Sequence, residues 1–458
     1  MNNRMKSLHI LIHTRLISAE RGIHRNNRRF FQKSSSYLHD KEESPDVDPS
    51  TNLIYNKDTG IISNSTSNEN LFRTIIGLEI HAQLRIPTKL FSSAPTKHFS
   101  TFFSPNYYTP TTASVQDTSD AEPNTNVSLF DIGYPGTLPI LSQAAVQAAV
   151  QTAHALQCTI APWSLFERKH YHYADLPLGY QITQQQWPIA RNGQLQCRKW
   201  KQKKPLTQVS SKNIHLQDTP KIRRRGQARQ QQPPLEINSI PPFDASDIIE
   251  KNDYNQSSMF TAYIDRIQIE QDTGKTITIS QVEPSTKIIE QYSLIDFNRA
   301  GCALVEIVFT PCITSAYEAA SVVSTLQSLL RFIGVCDGKM ESGSLRCDLN
   351  ISISPIDSYL SSIEMNSFTA VPLHTTGHRV EVKNLNSIRH IIAAIEYEAI
   401  RQSKQRIQHN PTRRETRTWD TKVHQTIKLR DKGDAVDYRF MPEPDVPPII
   451  LNEKVYDS

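Results

Sequence analysis

The stretch IIGLEIHAQL, Ile75 to Leu84, alternates apolar and polar side chains along its second half. Successive side chains of a β-strand point to opposite faces, so Glu79, His81 and Gln83 share one face while Leu78, Ile80, Ala82 and Leu84 share the other. Same-face neighbours lie roughly 6–7 Å apart along a strand, near enough for a carboxylate and an imidazole to grip one ion. A polar face is also the ordinary solvated side of an antiparallel sheet. Taken alone, this stretch is compatible with both readings.

Four further stretches repeat the pattern. YIDRIQIEQDTGK places Arg266, Gln268, Glu270 and Asp272 on one face, with Ile267 and Ile269 on the other. In ALVEIVF, Glu306 interrupts a strand that is otherwise apolar on both faces, and a buried carboxylate needs a cation or hydrogen-bond donors to remain charged. GSLRCDLNISI alternates Arg346, Asp348 and Asn350 with Leu345, Cys347, Leu349 and Ile351, and VEVKNLN puts Glu381 and Lys383 on a common face. Five strands that each mix acids with Arg, Lys or His predict a polar floor on which opposite charges and a ligand balance each other. Carboxylates with one imidazole suit a hard divalent cation such as Mg²⁺, and Arg and Lys beside them suit phosphate. The pattern therefore points to nucleotide chemistry.

The familiar phosphate loops are excluded. Gly274, Lys275 and Thr276 look like the end of a phosphate loop, but the earlier glycine it requires is Ile269, and no G-x-G-x-x-G is present. A nucleotide site in this chain is expected on the sheet floor itself.

The rest of the sequence frames that floor. At 458 residues, 38% hydrophobic and with a mean hydropathy of −0.48, the chain predicts one main domain with long polar tracts. No run of about 18 apolar residues exists, so no membrane-spanning segment is predicted. Six cysteines without a C-x-x-C pair argue against a disulfide framework or a structural zinc site. The net charge of +5 is compatible with a nucleic-acid partner without demonstrating one.

Residues 1–39 are basic, Ser-containing and carry one acid, Glu20, which predicts a mitochondrial transit peptide. Residues 40–70 read as a disordered linker. Residues 196–258, with RKWKQKK and KIRRRGQARQQQPP, read as a disordered basic insertion whose Arg223, Arg224 and Arg225 suit either solvent or RNA phosphates. A shorter insertion is expected over 355–378. Three helices are expected: SQAAVQAAVQTAHALQ from a Ser142 cap, TSAYEAASVVSTLQSLLRFIG ending at Gly334, and NSIRHIIAAIEYEAIRQ opening at Asn386 or Ser387.

The ordered segments resemble the family of B subunits of glutamyl-tRNA(Gln) amidotransferases in its mitochondrial form. Besides IIGLEIHAQL, the matching stretches are EPNTNVSLFDIGYPGTLPIL, FERKHYHYADLPLGYQITQ, IEQDTGK, SLIDFNRAGCALVEIV, KMESGSLRCDLNIS, EVKNLNSIRHIIAAIEYEAIRQ, ETRTWD and YRFMPEPDVPP, in family order from about Thr74 to Pro448. The resemblance implies an α+β fold over 71–451, a cradle around an antiparallel sheet that is distantly like glutamine synthetase. It implies a carbon–nitrogen ligase that uses ATP and Mg²⁺ to phosphorylate the γ-carboxylate of glutamate on tRNA(Gln) in the mitochondrial matrix. Ammonia would come from the A subunit, an amidase, and a small third subunit would complete the assembly.

Carried over residue by residue, the resemblance makes Glu79, His81, Glu270 and Glu306 the catalytic candidates. It makes His81, Glu270, Gln271 and Glu306 the metal candidates, and Lys275, Arg299, Arg346 and Lys383 the ATP or phosphate contacts. Gln271 departs from a common second Glu. The family's zinc-binding cysteine pairs correspond here to Ser92 with Ser93 and Ser128 with Asp131, so no zinc site is expected. His170, His172 and Leu178 replace the family's usual Asn, Phe and Lys. The family continues beyond PEPDVPP into a helical domain and a tRNA-binding tail, which are expected to be absent from these 458 residues. That expectation keeps open a second reading, a noncatalytic assembly or RNA-binding scaffold of the same complex.

Overall fold

IIGLEIHAQL lies, all but Leu84, in β3 (Asn70–Gln83), a 14-residue strand at the centre of an 11-stranded sheet. Its β-branched and aromatic residues favour a pleated, half-buried surface. The computed structural model describes residues 52–96, 122–200, 259–282, 289–357, 377–410, 412–431 and 438–451. On one side of β3 runs β13 (Leu345–Pro355), and beyond it β14 (Val380–Leu385), β15 (Glu415–Asp420) and β16 (Gln425–Asp431). On the other side run β12 (Ala303–Phe309), β9 (Met259–Gln271), β8 (Ala190–Arg198) and β4 (Thr159–Ile160). β3 is antiparallel to both β12 and β13, as are β12 to β9, β13 to β14, β15 to β16 and β4 to β8, while β14 and β15 are parallel; apart from this sheet, β5 (Trp163–Ser164) pairs antiparallel with β18 (Ile449–Ile450). The fold is thus α+β around a large, mostly antiparallel sheet.

Apolar alternation assigns one face of this sheet to the core. Ile76, Leu78, Ile80 and Ala82 of β3, Ile267 and Ile269 of β9, Val305 and Ile307 of β12, and Val380 and Val382 of β14 are fully buried in one cluster. Burial of each large aliphatic side chain stabilises by about 1.5–3 kcal/mol. The helices α1 (Gln143–Ala155), α2 (Ala316–Phe332) and α3 (Ile388–Ile407) supply the other half of that core. Ser315 caps α2 by accepting from Glu318 N, while the Glu318 carboxylate accepts from Thr314 N, a reciprocal cap that fixes the helix start. Gly334 follows the helix end at φ +77°, a conformation that favours glycine. Ser142 and Ser387 sit at the N-caps of α1 and α3 without a side-chain cap bond. α3 runs five residues beyond the expected Gln402, because Gln402 and Ser403 are buried polar residues that the apolar spacing does not reveal.

The expected linker over 40–70 is corrected from Asn52 onward. β1 (Leu53–Tyr55) and β2 (Ile61–Asn64) pair with each other, and β2 joins β3. Leu53, Tyr55 and Ile62 are core residues, and the Tyr55 hydroxyl accepts from Ala316 N at 3.1 Å, binding the segment to the start of α2.

The chain divides into two units, one formed by Met1–Trp200 with Phe260–Ser458 and one over Lys201–Met259. The second takes in most of the expected basic insertion and, Met259 aside, lies outside the described residues. β8 extends to Arg198, so the first residues of that insertion belong to the sheet. The expected transit peptide over 1–39, residues 40–51, and the insertion over 358–376 also lie outside the described residues. No helix among the described residues is long and apolar enough to cross a membrane.

Candidate active site

The second face of the central strands is the polar floor, and strand register arranges it in rows. Arg346 of β13 stands beside His81 of β3, then Glu306 of β12, then Gln268 of β9. One step along the strands, Asp348 stands beside Glu79, which faces Val308. Glu381 of β14 faces Asn350 of β13. Gln268, Glu270, Glu306, Asp348 and Glu381 are buried, so this face is not an ordinary solvated one.

A second, small sheet covers part of the floor. β6 (Glu167–His170) pairs with β7 (Tyr180–Thr183) and with β17 (Met441–Pro442). From β7, Gln181 Nε2 donates to Glu270 Oε1 at 2.5 Å and Thr183 Oγ1 donates to Glu270 Oε2 at 2.9 Å. Gln268 Nε2 donates to Glu306 Oε2 at 2.6 Å. The Tyr171 hydroxyl donates to Gln181 Oε1 at 3.0 Å, which orients the Gln181 amide toward Glu270.

Two clusters of potential ligands result. His81, Glu270 and Glu306 each present one ligand atom within 4.8 Å of the others, and so do Glu79, Asp348 and Glu381. In the first cluster, His81 Nε2 lies 3.9 Å from Glu306 Oε2. Among the described residues no lysine or arginine makes an ion pair with Glu270 or Glu306. Burial works against the charged form of Glu270, but the Lys169 and His81 charges and the two hydrogen bonds from β7 outweigh it and hold the carboxyl below its usual range. Burial together with the Glu270 charge pushes Glu306 up to about 7. One carboxylate favours its charged form, while its neighbour keeps its proton up to about pH 7.

The second cluster is occupied by a side chain of the protein. Lys383 Nζ lies 3.4 Å from Asp348 Oδ2 and 3.3 Å from Glu381 Oε1. Burial would lower its pKa, but Asp348 and Glu381 more than offset this and raise it. Asn350 Nδ2 donates to Glu79 Oε1 at 2.8 Å, and Asn384 N, on a residue at φ +59°, donates to Asp348 Oδ1 at 2.7 Å.

At the far end of the first row, two guanidinium groups share one carboxylate. Arg346 Nη2 donates to Asp272 Oδ1 at 3.0 Å, and Arg299 Nε lies 3.6 Å from Asp272 Oδ2. Arg299 also donates to Thr273 O at 3.0 Å and to Gly274 O at 2.6 Å. Two positive groups against one negative leave a net positive edge beside the ligand cluster.

The expected site residues are therefore distributed as follows. His81, Glu270 and Glu306 come together; Glu79 stands with the second cluster; Arg299 and Arg346 meet at Asp272; and Lys383 lies within the second cluster. Lys275 is exposed at the foot of a ribbon formed by β10 (Lys275–Val282) and β11 (Ile289–Asp296). The alternation of β9 turns Gln271 to the side of Ile267 and Ile269, away from Glu270. Its backbone carbonyl accepts from Gln181, while its side-chain oxygen is buried without a hydrogen-bond partner. Asp348 and Glu381 were visible as polar-face residues but not as ligands, since only the pairing of β13 with β3 and β14 brings them together. Lys169, Gln181 and Thr183 come from strands of four residues, too short to carry a periodic signal.

Residues 74–457 match the family model described as the GatB/GatE catalytic domain. The chain is 38% identical over 392 residues to a Phytophthora infestans protein named as the mitochondrial B subunit of glutamyl-tRNA(Gln) amidotransferase, covering 84% of this chain and 61% of that one. Bacterial proteins named as the B subunit of aspartyl/glutamyl-tRNA(Asn/Gln) amidotransferase are similar too. Those of Synechococcus sp. (strain JA-3-3Ab) and Ehrlichia canis are both 36% identical, over 83% and 84% of this chain and 59% of each relative. The chain spans about three fifths of the length of these relatives.

Proposed function

We propose, given that the chain belongs to the GatB/GatE catalytic-domain family, that it is the ATP-dependent kinase and transamidase component of a glutamyl-tRNA(Gln) amidotransferase. The observation that carries this reading is the His81–Glu270–Glu306 cluster set beside the positive Asp272–Arg346–Arg299 edge on one sheet face. A cradle distantly like that of glutamine synthetase is the reading of the fold that agrees with a sheet whose polar face is the working surface.

The donor set fits a hard divalent cation. Two carboxylates and one imidazole converge, neither carboxylate is ion-paired to a described Lys or Arg, and burial together with the Glu270 charge pushes Glu306 toward its neutral form. His81, Glu270 and Glu306 would hold Mg²⁺, which when bound supplies positive charge against the phosphates and the carboxylate that gather there. The residues of the chain do the rest. Gln181 and Thr183 fix the Glu270 carboxylate, Gln268 fixes that of Glu306, and the shared guanidinium edge attracts the phosphate chain of ATP.

In the reaction we assign, a γ-carboxylate oxygen of glutamate esterified to tRNA(Gln) attacks the terminal phosphorus of ATP. The bond from that phosphorus to the bridging oxygen breaks and ADP leaves. Ammonia from the amidase partner then attacks the acyl carbon, the carbon–oxygen bond to phosphate breaks, and the amine loses a proton to give the amide. Activation is needed because an unmodified carboxylate has no adequate leaving group at neutral pH. The partners of this reading are Glu-tRNA(Gln), the amidase and a small third subunit. The name of the Phytophthora relative and the basic, acid-poor first 39 residues support a mitochondrial location, which we place in the matrix.

The test is γ-amide formation on Glu-tRNA(Gln) by the chain reconstituted with its amidase partner. ATP-dependent product is expected, with a loss of at least about a thousandfold, ~4 kcal/mol, when His81→Ala and Glu306→Ala are combined. Full activity of that double variant contradicts the proposed site. Assembly and RNA binding without any acyl-phosphate formation would instead support the scaffold reading.

A further inference from the structure

One of the largest fully buried side chains among the described residues is charged and lies outside the ligand clusters. Lys89 is 0% exposed. Its Nζ donates to Asp131 Oδ2 at 3.1 Å and to the Phe297 carbonyl at 3.2 Å. The Asp131 carboxylate also accepts from Ser92 Oγ at 3.0 Å and from Ser128 N at 2.8 Å. A buried ion pair of this kind contributes little to stability relative to apolar residues of similar volume, so its place in the structure calls for another account.

The pair grips one particular turn. Lys89 holds the carbonyl of Phe297 at its start, and Leu90 N donates to the carbonyl of Gly301 at its end, at 2.8 Å. Gly301 has φ +80°, and a β-carbon there would stand 2.6 Å from Asp131 Oδ1, so Asp131 rests directly on the turn. Within the turn, Ala300 N donates to Phe297 O, Gly301 N to Asp272 O and Cys302 N to Arg299 O. Its one charged side chain is Arg299, which reaches Asp272.

We infer that the Lys89–Asp131 pair is a positioning device for the proposed reaction: it fixes the turn over residues 297–301 and thereby holds the Arg299 guanidinium at the edge that meets the phosphates of ATP. The inference rests on the reading of that edge given above. Lys89 and Asp131 touch no reacting group; they act through Arg299.

A full-length Lys89→Met/Asp131→Leu variant removes both charges together and leaves no lone buried ion. Amide exchange at Ala300, Gly301 and Cys302 should accelerate about tenfold, and the Kd for Mg·ATP should rise about tenfold, within the range of coupling between residues in contact. In an Arg299→Ala background, the same replacement should change the Kd no further. Unchanged exchange and Kd with a lowered melting temperature alone would make the pair a mere staple and overturn the inference, as would a Kd loss that adds fully to that of Arg299→Ala. If the double variant does not fold, Asp131→Asn is carried through the same measurements with the same criteria. A parent chain that binds no Mg·ATP would defeat the reading of the edge, and the exchange arm would still decide whether the pair orders the turn.

Discussion

Two clusters on one sheet face illustrate how similar ligands reach different states. His81, Glu270 and Glu306 meet without a lysine or arginine ion pair among the described residues, whereas Glu79, Asp348 and Glu381 enclose the Lys383 ammonium. In the first cluster the Lys169 and His81 charges act without a Lys or Arg ion pair, and Glu306 is still displaced upward to about 7 by burial and by Glu270. The second is largely compensated by the protein's own cation. The comparison teaches that carboxylate count does not identify a cation site; what does is whether the chain supplies the counter-charge.

The comparison is sharpened most strongly by neutralising one acid in each cluster. Glu306→Gln should weaken Mn²⁺ or Mg²⁺ affinity by at least about 100-fold, since altering even an outer-shell partner of a metal ligand typically costs 10–100-fold. Asp348→Asn should change it by less than about threefold. Isothermal titration of the two variants checks the contrast, and equal losses would remove the distinction between the clusters.

Removing the internal cation should make the second cluster resemble the first. Lys383→Met leaves Asp348 and Glu381 uncompensated, which should destabilise the cation-free protein by about 1–3 kcal/mol, at the low end for broken ion pairs because Lys383 is about a third exposed. Divalent cation should restore much of that loss in a denaturant titration, with a second binding equivalent appearing. A variant that is destabilised but gains no cation response would show that the second cluster lacks the geometry of a site.

The pH dependence follows from Glu306. Its pKa is raised in the folded state, so between its ordinary value of 4.5 and about 7 the folded chain holds a proton that the unfolded chain has released. The contribution of this group to cation-free stability therefore falls as pH rises through that window and levels above it. Cation binding displaces the proton, so apparent affinity should rise up to about tenfold per pH unit below pH 7 and flatten above. A flat affinity profile between pH 5.5 and 7 would mean that Glu306 is not a ligand.

The smallest effect is expected at Gln271. Because strand alternation turns it away from Glu270, Gln271→Glu should alter cation affinity by less than about threefold. A gain of tenfold or more in the same titration would place its side chain in the first cluster after all.

Much of the floor was legible in the sequence, because a period of two assigns every strand residue to a face once the strand is recognised. Glu79, His81, Glu270, Arg346 and Lys383 are placed on polar faces in that way, and Glu306 stands out as the one acid of an apolar strand. Their grouping is not visible there, since β13, β3, β12 and β9 are neighbours in space through pairings between segments far apart in the chain. Hence Glu79 falls in with Asp348 rather than His81, and Lys383 stands between two acids. The strands within 52–64 are hard to see in the sequence because polar residues interrupt short apolar pieces, of which Leu53, Tyr55 and Ile62 are the buried hydrophobic ones. The Lys89–Asp131 pair left no signal either, since a lone lysine in KLFSS gives no hint of its burial.

The central claim is that the first cluster, and not the second, holds the divalent cation. Pulsed EPR of Mn²⁺ bound to the full chain tests it most directly, because only the first cluster contains an imidazole nitrogen. The account predicts one tightly bound Mn²⁺ with nitrogen coupling, abolished by His81→Ala and unaffected by Asp348→Asn. Bound Mn²⁺ that shows no nitrogen coupling, survives His81→Ala and is lost with Asp348→Asn would contradict it.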